Sequence, residues 1–341
     1  MATNEFEEPL DAIRKRPAMY VGSTALFGFI NYLVCPVALF LAHGAKRIDA
    51  TVKDGFEIQS DVIIRIERTE DGRIAPFQQI RQVGMGHNFE ATVLTALSEE
   101  LSVSVQTGSH LEEWQFVKGV LASHRSMEAH DGIQGTTLRF KPDTSIFTVT
   151  EVSQAVFASY FRRLSFLHEG VRFALSVGGD RQEFFTVNGM AELFTAISAP
   201  YQLMHEPVHI AASEGTLSLQ VVMAYHSWKA NHLWCFINNG RAVEGGTHEQ
   251  GFSQALKRLK RQLNLPEGFD HGVVAVASIQ YPEATWEGCL KARIGNPELR
   301  TMVSRLVVNE VVEWLSHHPS VEEQIRQMQT FRFPEAWYGK L

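Results

Sequence analysis

An α+β protein of two domains is what the sequence predicts, and three observations lead there. As far as about residue 148, stretches with apolar residues at every second position interleave with stretches at helical spacing, as helices around one sheet do. From Val149 the organisation changes, to a long helix followed by strands and further helices. A chain of 341 residues with 45% hydrophobic content also exceeds what a single core usually gathers. The domains are expected at 1–148 and 149–341.

The elements follow in order. Leu10 to Arg16 reads as a short helix or turn stopped by Pro17, after which the chain runs extended to Thr24. Leu26–Ala45, LFGFINYLVCPVALFLAHGA, is apolar almost all round and contains no Asp, Glu, Lys or Arg. As a helix it belongs in a core, kinked where Pro36 removes a backbone donor. Asn31 and Pro36 interrupt a run that barely reaches the ~20 residues of a membrane span, so no membrane is expected as a partner. Arg47–Val52 and Asp61–Glu67 alternate as half-buried strands and meet a turn at Asp71-Gly72. A second helix is expected from near Asn88 to Leu101, then paired strands at Leu101–Val105 and Trp114–Leu121, then a strand opening Gly135–Phe147. Val156, Tyr160, Leu164 and Leu167 share a helical face that turns at Gly170. Leu217–Ala224, Leu233–Ile237 and Gly272–Gln280 read as strands, and Phe252–Leu263 and Glu298–Leu315 as helices.

Composition narrows the function classes. A net charge of -7 argues against a binder of nucleic acid over its whole surface and leaves room for a local basic patch. Cys35, Cys235 and Cys289 have neither metal-type spacing nor a pairing framework, which predicts a reducing, cytoplasmic compartment. The opening MATNEFEEPLDAIRKRP has no apolar stretch of a signal peptide. The fourteen histidines do not fall at metal-ligand spacing; His317-His318 reads as helix capping, and Trp228, Trp234, Trp286 and Trp314 as core or interface residues.

Several strings resemble one family. Arg14-Lys15-Arg16-Pro17 with Met19-Tyr20-Val21-Gly22, GRIAP at Gly72–Pro76, GTTLRFKPD at Gly135–Asp143 and FLHEG at Phe166–Gly170 are similar to the ATPase component of bacterial type II topoisomerases, DNA gyrase B and its topoisomerase IV counterpart. Asn238-Asn239, the string Glu244-Gly245-Gly246-Thr247-His248 with Gly251-Phe252, and IGNPELR at Ile294–Arg300 are the most specific part. The resemblance implies an ATP-binding α/β sandwich of the GHKL (Bergerat) type followed by a transducer domain of mixed α/β structure. The family's DNA-cleavage motifs, Glu-Gly-Asp-Ser and Asp-x-Asp, do not occur in this sequence, so DNA cleavage by this chain is not expected.

The resemblance also locates the chemistry and its losses. The family helix corresponding to Leu26–Ala45 carries a Glu that activates water and an Asn that holds magnesium, and phosphoryl transfer depends on both tasks. Those positions fall at Asn31, Val34 and Cys35 in one alignment, or at Cys35, Ala38 and Leu39 in another; neither supplies a general base. Between Pro76 and Gly84 only Phe77 to Val83 stands where the family has a long lid. What corresponds to a nucleotide site is Asn31, Glu70, Asp71, Arg73, Gly84, Gly86, Thr136 and Lys291, the last at the position that reaches the γ-phosphate. The bland alternatives are a polar turn for Glu70-Asp71, a first-turn acid for Glu90 and a solvated loop for Lys291 and Arg293.

Three functional readings stay open. The first is a non-hydrolysing relative kept as a binding or regulatory module, with a type II topoisomerase subunit, DNA or a gyrase-directed small molecule as partner. DNA contact falls on Lys257, Arg258, Lys260 and Arg261, whose alternative role is a solvated amphipathic face. The second is a repurposed apolar pocket for an organic ligand or a new activity, with Glu70, Asp71, His87 and Cys289 as its titratable groups. The third is ATP binding without turnover, weak and without magnesium. Dimerisation is expected not to depend on nucleotide, because Met1–Pro9 lacks the family arm's Tyr.

Overall fold

The computed structural model describes residues 9–79, 89–128, 134–226, 230–265, 270–287 and 293–327. Two compact units divide the chain at Gly189.

The first unit begins with four helices, α1 (Pro9–Lys15), α2 (Ala18–Val21), α3 (Leu26–Leu33) and α4 (Cys35–Ala42). Strands β1 (Arg47–Lys53) and β2 (Gly55–Ser60) form a hairpin, followed by the small pair β3 (Glu67–Arg68) and β4 (Ile74–Ala75). Then come α5 (Phe89–Leu97), β5 (Ser98–Thr107), β6 (His110–Val117), β7 (Val120–Glu128), β8 (Gly135–Pro142), α6 (Gln154–Leu167), β9 (Arg172–Val177) and β10 (Asp180–Phe184). Eight strands make one sheet in the order β10-β9-β1-β2-β8-β5-β6-β7, with β9 parallel to β1 and the other neighbours antiparallel.

Alternation decides which face is covered. Phe56 and Ile58 of β2 and Leu138 and Phe140 of β8 are buried against Phe29, Tyr32 and Phe40 of α3 and α4 in one core. On the other face Glu57 and Arg139 pair at 2.5 Å in the open. The helices thus bury one side of an amphipathic sheet.

The second unit holds α7 (Gly189–Ser198), which opens at the division, then β11 (Val208–Glu214), β12 (Leu217–Tyr225), β13 (His232–Ile237), α8 (Thr247–Gln262) and β14 (Val273–Gln280). The pair β15 (Trp286–Glu287) and β16 (Arg293–Ile294) leads into α9 (Pro297–His317) and α10 (Pro319–Gln327). Its four-stranded sheet runs β11-β12-β14-β13, and α8 and α9 bury Phe252, Leu256, Val303 and Val307 in its core.

Six expectations change. The first unit extends past 148, because β9 inserts between β10 and β1 and carries Phe173 and Leu175 into the core. Met19 sits in a one-turn helix rather than an extended run. Leu26–Ala45 is two helices, since Pro36 occupies the first turn of α4, where its missing donor costs nothing. Asp61–Ile66 is not a strand: Asp61 leaves the sheet to accept hydrogen bonds from the Lys46 and Arg47 amides. The helix expected to reach Leu101 ends at Leu97, and Trp114–Leu121 spans a turn at Lys118-Gly119 between β6 and β7.

Candidate functional site

Leu26–Ala45 folds as the acid-free sequence dictates, with Phe29, Tyr32, Val37, Leu39 and Phe40 fully buried and Cys35 8% exposed. Phe29 packs edge-on to Phe56 and Phe147, and the Tyr32 hydroxyl shares a 2.7 Å hydrogen bond with Ser98 Oγ. Burial drives that phenol far above its ordinary pKa, so Tyr32 is a neutral core group. Asn31 Nδ2 donates to the Val21 carbonyl at 2.9 Å, and the Cys35 thiol donates to the Asn31 carbonyl at 3.3 Å. Val34 bridges the two helices and Ala38 is half-buried. This wall therefore presents no carboxylate, and its one amide is tied to the backbone.

The β3–β4 hairpin places Glu70, Asp71 and Arg73 at an exposed turn. Gly72, at φ 84°, supplies the left-handed conformation, and Gly72 N donates to Thr69 O at 2.9 Å. The Thr69 hydroxyl bonds the Asp71 carboxylate, and Arg73 Nη1 stands 3.4 Å from it. The hydroxyl bond is the largest influence holding the Asp71 carboxyl below its ordinary range. Thr136 is fully buried on β8, and its Oγ1 accepts the Ile64 amide at 3.0 Å. Of the nucleotide-site residues, the structure pairs Asp71 with Arg73, while Asn31 and Thr136 bond to backbone groups. Glu90 lies in the first turn of α5. Gly84, Gly86, His87, Cys289 and Lys291, with Met85 and Trp228, lie outside the described residues.

In the second unit the Glu244–Phe252 string is built by close backbone contact. A side chain at Gly246, φ 147°, would put its Cβ 2.5 Å from Ile294 O, and one at Gly251 would come 2.8 Å from Arg300 O. The two glycines let the turn and α8 approach β16 and α9. Asn238 and Asn239 both have positive φ, and Asn238 brackets Tyr281 with bonds of 2.7 and 2.8 Å. His248 is fully buried, neither ring nitrogen has a hydrogen-bond partner, and burial lowers its pKa to about 4.

The basic residues of α8 divide. Arg258 Nη1 donates to Ser304 Oγ at 3.3 Å and Lys260 Nζ pairs with Asp270 at 3.4 Å, whereas Lys257 and Arg261 are exposed. Arg293 pairs with Glu287 at 3.1 Å. Trp234, expected in a core or interface, is 39% exposed and carries Arg241 over its ring at 4.5 Å. His317 and His318 accept the capping role, each with Nδ1 against the carbonyl four residues back. Sequence reasoning passed over the Arg14–Asp143 ion pair, whose partners lie 129 residues apart and have no local signature. Among the described residues no group of three or more His, Cys, Asp or Glu is placed to hold a metal, and no helix is long and apolar enough to cross a membrane.

Comparison with known proteins shows what the chain is similar to. The family model described as DNA gyrase B matches residues 189–332. The DNA gyrase B protein of Halalkalibacterium halodurans is 28% identical over 93% of this chain and 56% of its own length; that of Bacillus mycoides is 30% identical over 70% and 64%. The 43K ATPase domain of Thermus thermophilus gyrase B, solved with an aminocoumarin, superposes with a TM-score of 0.77 at 25% identity, covering 94% of this chain and 93% of that one. The chain is similar to the ATPase region of DNA gyrase B over nearly its whole length. It spans a little over half the length of the gyrase B proteins it matches. The GHKL-type fold is shared with the ATP-binding domain of topoisomerase IV from Francisella tularensis, at a TM-score of 0.72 and 18% identity. The Gly246 and Gly251 contacts hold the turn and α8 against β16 and α9, and the α3–α4 wall carries no carboxylate at Asn31, Val34, Cys35, Ala38 or Leu39.

Proposed function

We propose that this gyrase B relative is a non-hydrolysing binding or regulatory module acting in a type II topoisomerase context. The observation that carries the reading is the α3–α4 wall, where no acid occurs between Leu26 and Ala45 and the Asn31 amide is held by Val21 O. Loss of a general base alone forfeits ~10²–10⁴ in rate. The exposed Glu70-Asp71 turn and buried Thr136 form what remains of an adenine side, so any nucleotide binds weakly and without magnesium. Phe29 and Phe40 are locked in the core, which favours this reading over an enlarged apolar pocket with a new activity.

The test measures release of phosphate from Mg-ATP alongside calorimetry with a non-hydrolysable ATP analogue. Expected are background turnover and weak, magnesium-independent heat; turnover at ordinary gyrase rates overturns the proposal. Adding the chain to a gyrase supercoiling reaction, with and without an aminocoumarin, then separates a topoisomerase partner from a drug-intercepting role.

A further inference from the structure

A cavity of about 750 Å³ runs along the outer face of α8 in the second unit, between the Gly245-Gly246 turn and Arg261. Gln254, Lys257 and Arg261 follow at spacings of three and four, which places them on one stripe of the helix. Arg300 enters from α9, its Nε donating to Gln254 Oε1 at 3.1 Å, and Arg261 Nε is steadied by the Lys257 carbonyl at 3.3 Å. Nearby cations are neutralised, Lys260 by Asp270 and Arg293 by Glu287. Among the described residues, Lys257, Arg261 and Arg300 have no carboxylate within ion-pair distance, so three positive charges share one concave wall. Like charges held together on a surface repel, and a bound anion relieves that cost.

The opposite end of the cavity has the reverse sign. Glu244 and Glu249 line it, and the Glu249 carboxylate lies against Gly245. A phosphodiester backbone laid along α8 would run from the cations onto these two carboxylates. A compact anion seated over Lys257, Arg261 and Arg300 avoids them. Lys257 and Arg261 are one helical turn apart, ~6 Å along the axis, a span suited to linked phosphates rather than one.

We propose that this half-cavity binds a small oligophosphate, two or three linked phosphate groups, free or as the tail of a nucleotide. The site lies wholly in the second unit and does not rest on the reading of the α3–α4 wall.

Calorimetry of the full chain with sodium tripolyphosphate tests it, beside sodium orthophosphate, magnesium-free ATP and a short DNA duplex. Lys257→Ala with Arg261→Ala removes two exposed side chains, and Arg305→Gln removes a surface cation elsewhere as the charge control; circular dichroism confirms that each variant is folded. Expected is tripolyphosphate binding that the double variant weakens at least about tenfold and the control leaves unchanged. ATP binding weakened by the same variant supports the nucleotide tail as source, and its absence supports the free oligophosphate. Absent tripolyphosphate binding, equal binding by the double variant, or binding of duplex DNA in its place overturns the proposal.

Discussion

His248 is the residue whose chemistry is most at odds with its surroundings. Its imidazole is fully buried without a hydrogen-bond partner and is held near 4, below the ordinary 6.5, chiefly by burial. The unfolded chain therefore takes up the proton first, and stability present above about pH 6.5 is lost as pH falls toward 4. His248→Leu sacrifices no hydrogen bond, so its stability relative to wild type should rise through that window by on the order of 2–3 kcal/mol, read from urea midpoints at successive pH values. Asp143 behaves differently. Burial pushes its carboxyl up, but the Ser145 hydroxyl, the Arg14 guanidinium and the Ser145 amide outweigh that and hold it at about 2. Arg14→Ala strands a buried carboxylate and should cost about 3–5 kcal/mol by chemical denaturation, with the further substitution Asp143→Asn recovering part of the loss. The carboxylate's contribution is present above about pH 4 and fades as pH falls toward 2.

At the scale of elements, the glycine-rich turn before α8 is fixed by backbone meeting backbone. Gly246 forms a bridge with Ile294, and any Cβ there falls 2.5 and 2.6 Å from the Ile294 O and N atoms. Gly246→Ala should therefore destabilise the second unit by on the order of 2–3 kcal/mol, whereas Gly215→Ala, at a turn with no atom near its Cβ, should cost less. Thermal melts of the two variants decide this. The α3–α4 pair depends on its sequence in another way. Pro36 is tolerated because it starts a helix; Val34 N closes α3 on Ile30 O at 3.1 Å, and Ala38 N opens α4 on Val34 O at 3.0 Å.

On the scale of the whole molecule, the division between units has a measurable consequence. Strand β9 lies between β10 and β1 and delivers Phe173 and Leu175, while α6 adds Phe161 and Leu164 to the same core. A fragment ending at residue 148 leaves β1 as a bare edge over an uncovered apolar face. Residues 1–189 should fold as a soluble unit with a cooperative melt, and residues 1–148 should aggregate, as gel filtration and circular dichroism would record.

Local pattern accounts for much of this protein. Absence of charge from Leu26 to Ala45 was enough to bury the middle of that segment, the alternation in Arg47–Val52 and the apolar run in Gly272–Gln280 were enough for strands, and the Glu244–Phe252 string was enough for the gyrase B resemblance. In each case the signal lies within a few residues and expresses a periodicity or a turn. Tertiary structure decided the rest. Asp61–Ile66 alternates like a strand, yet Asp61 does more by capping the Lys46 and Arg47 amides, and Ile64 by bonding Thr136. Residue 148 looked like a boundary because periodicity changes there, but β9 returns to pair with β1. The cation stripe of α8 was legible in the sequence; that Arg258 is tied to a hydroxyl and Lys260 to a carboxylate depended on Ser304 and Asp270, partners that only the folded chain brings within reach.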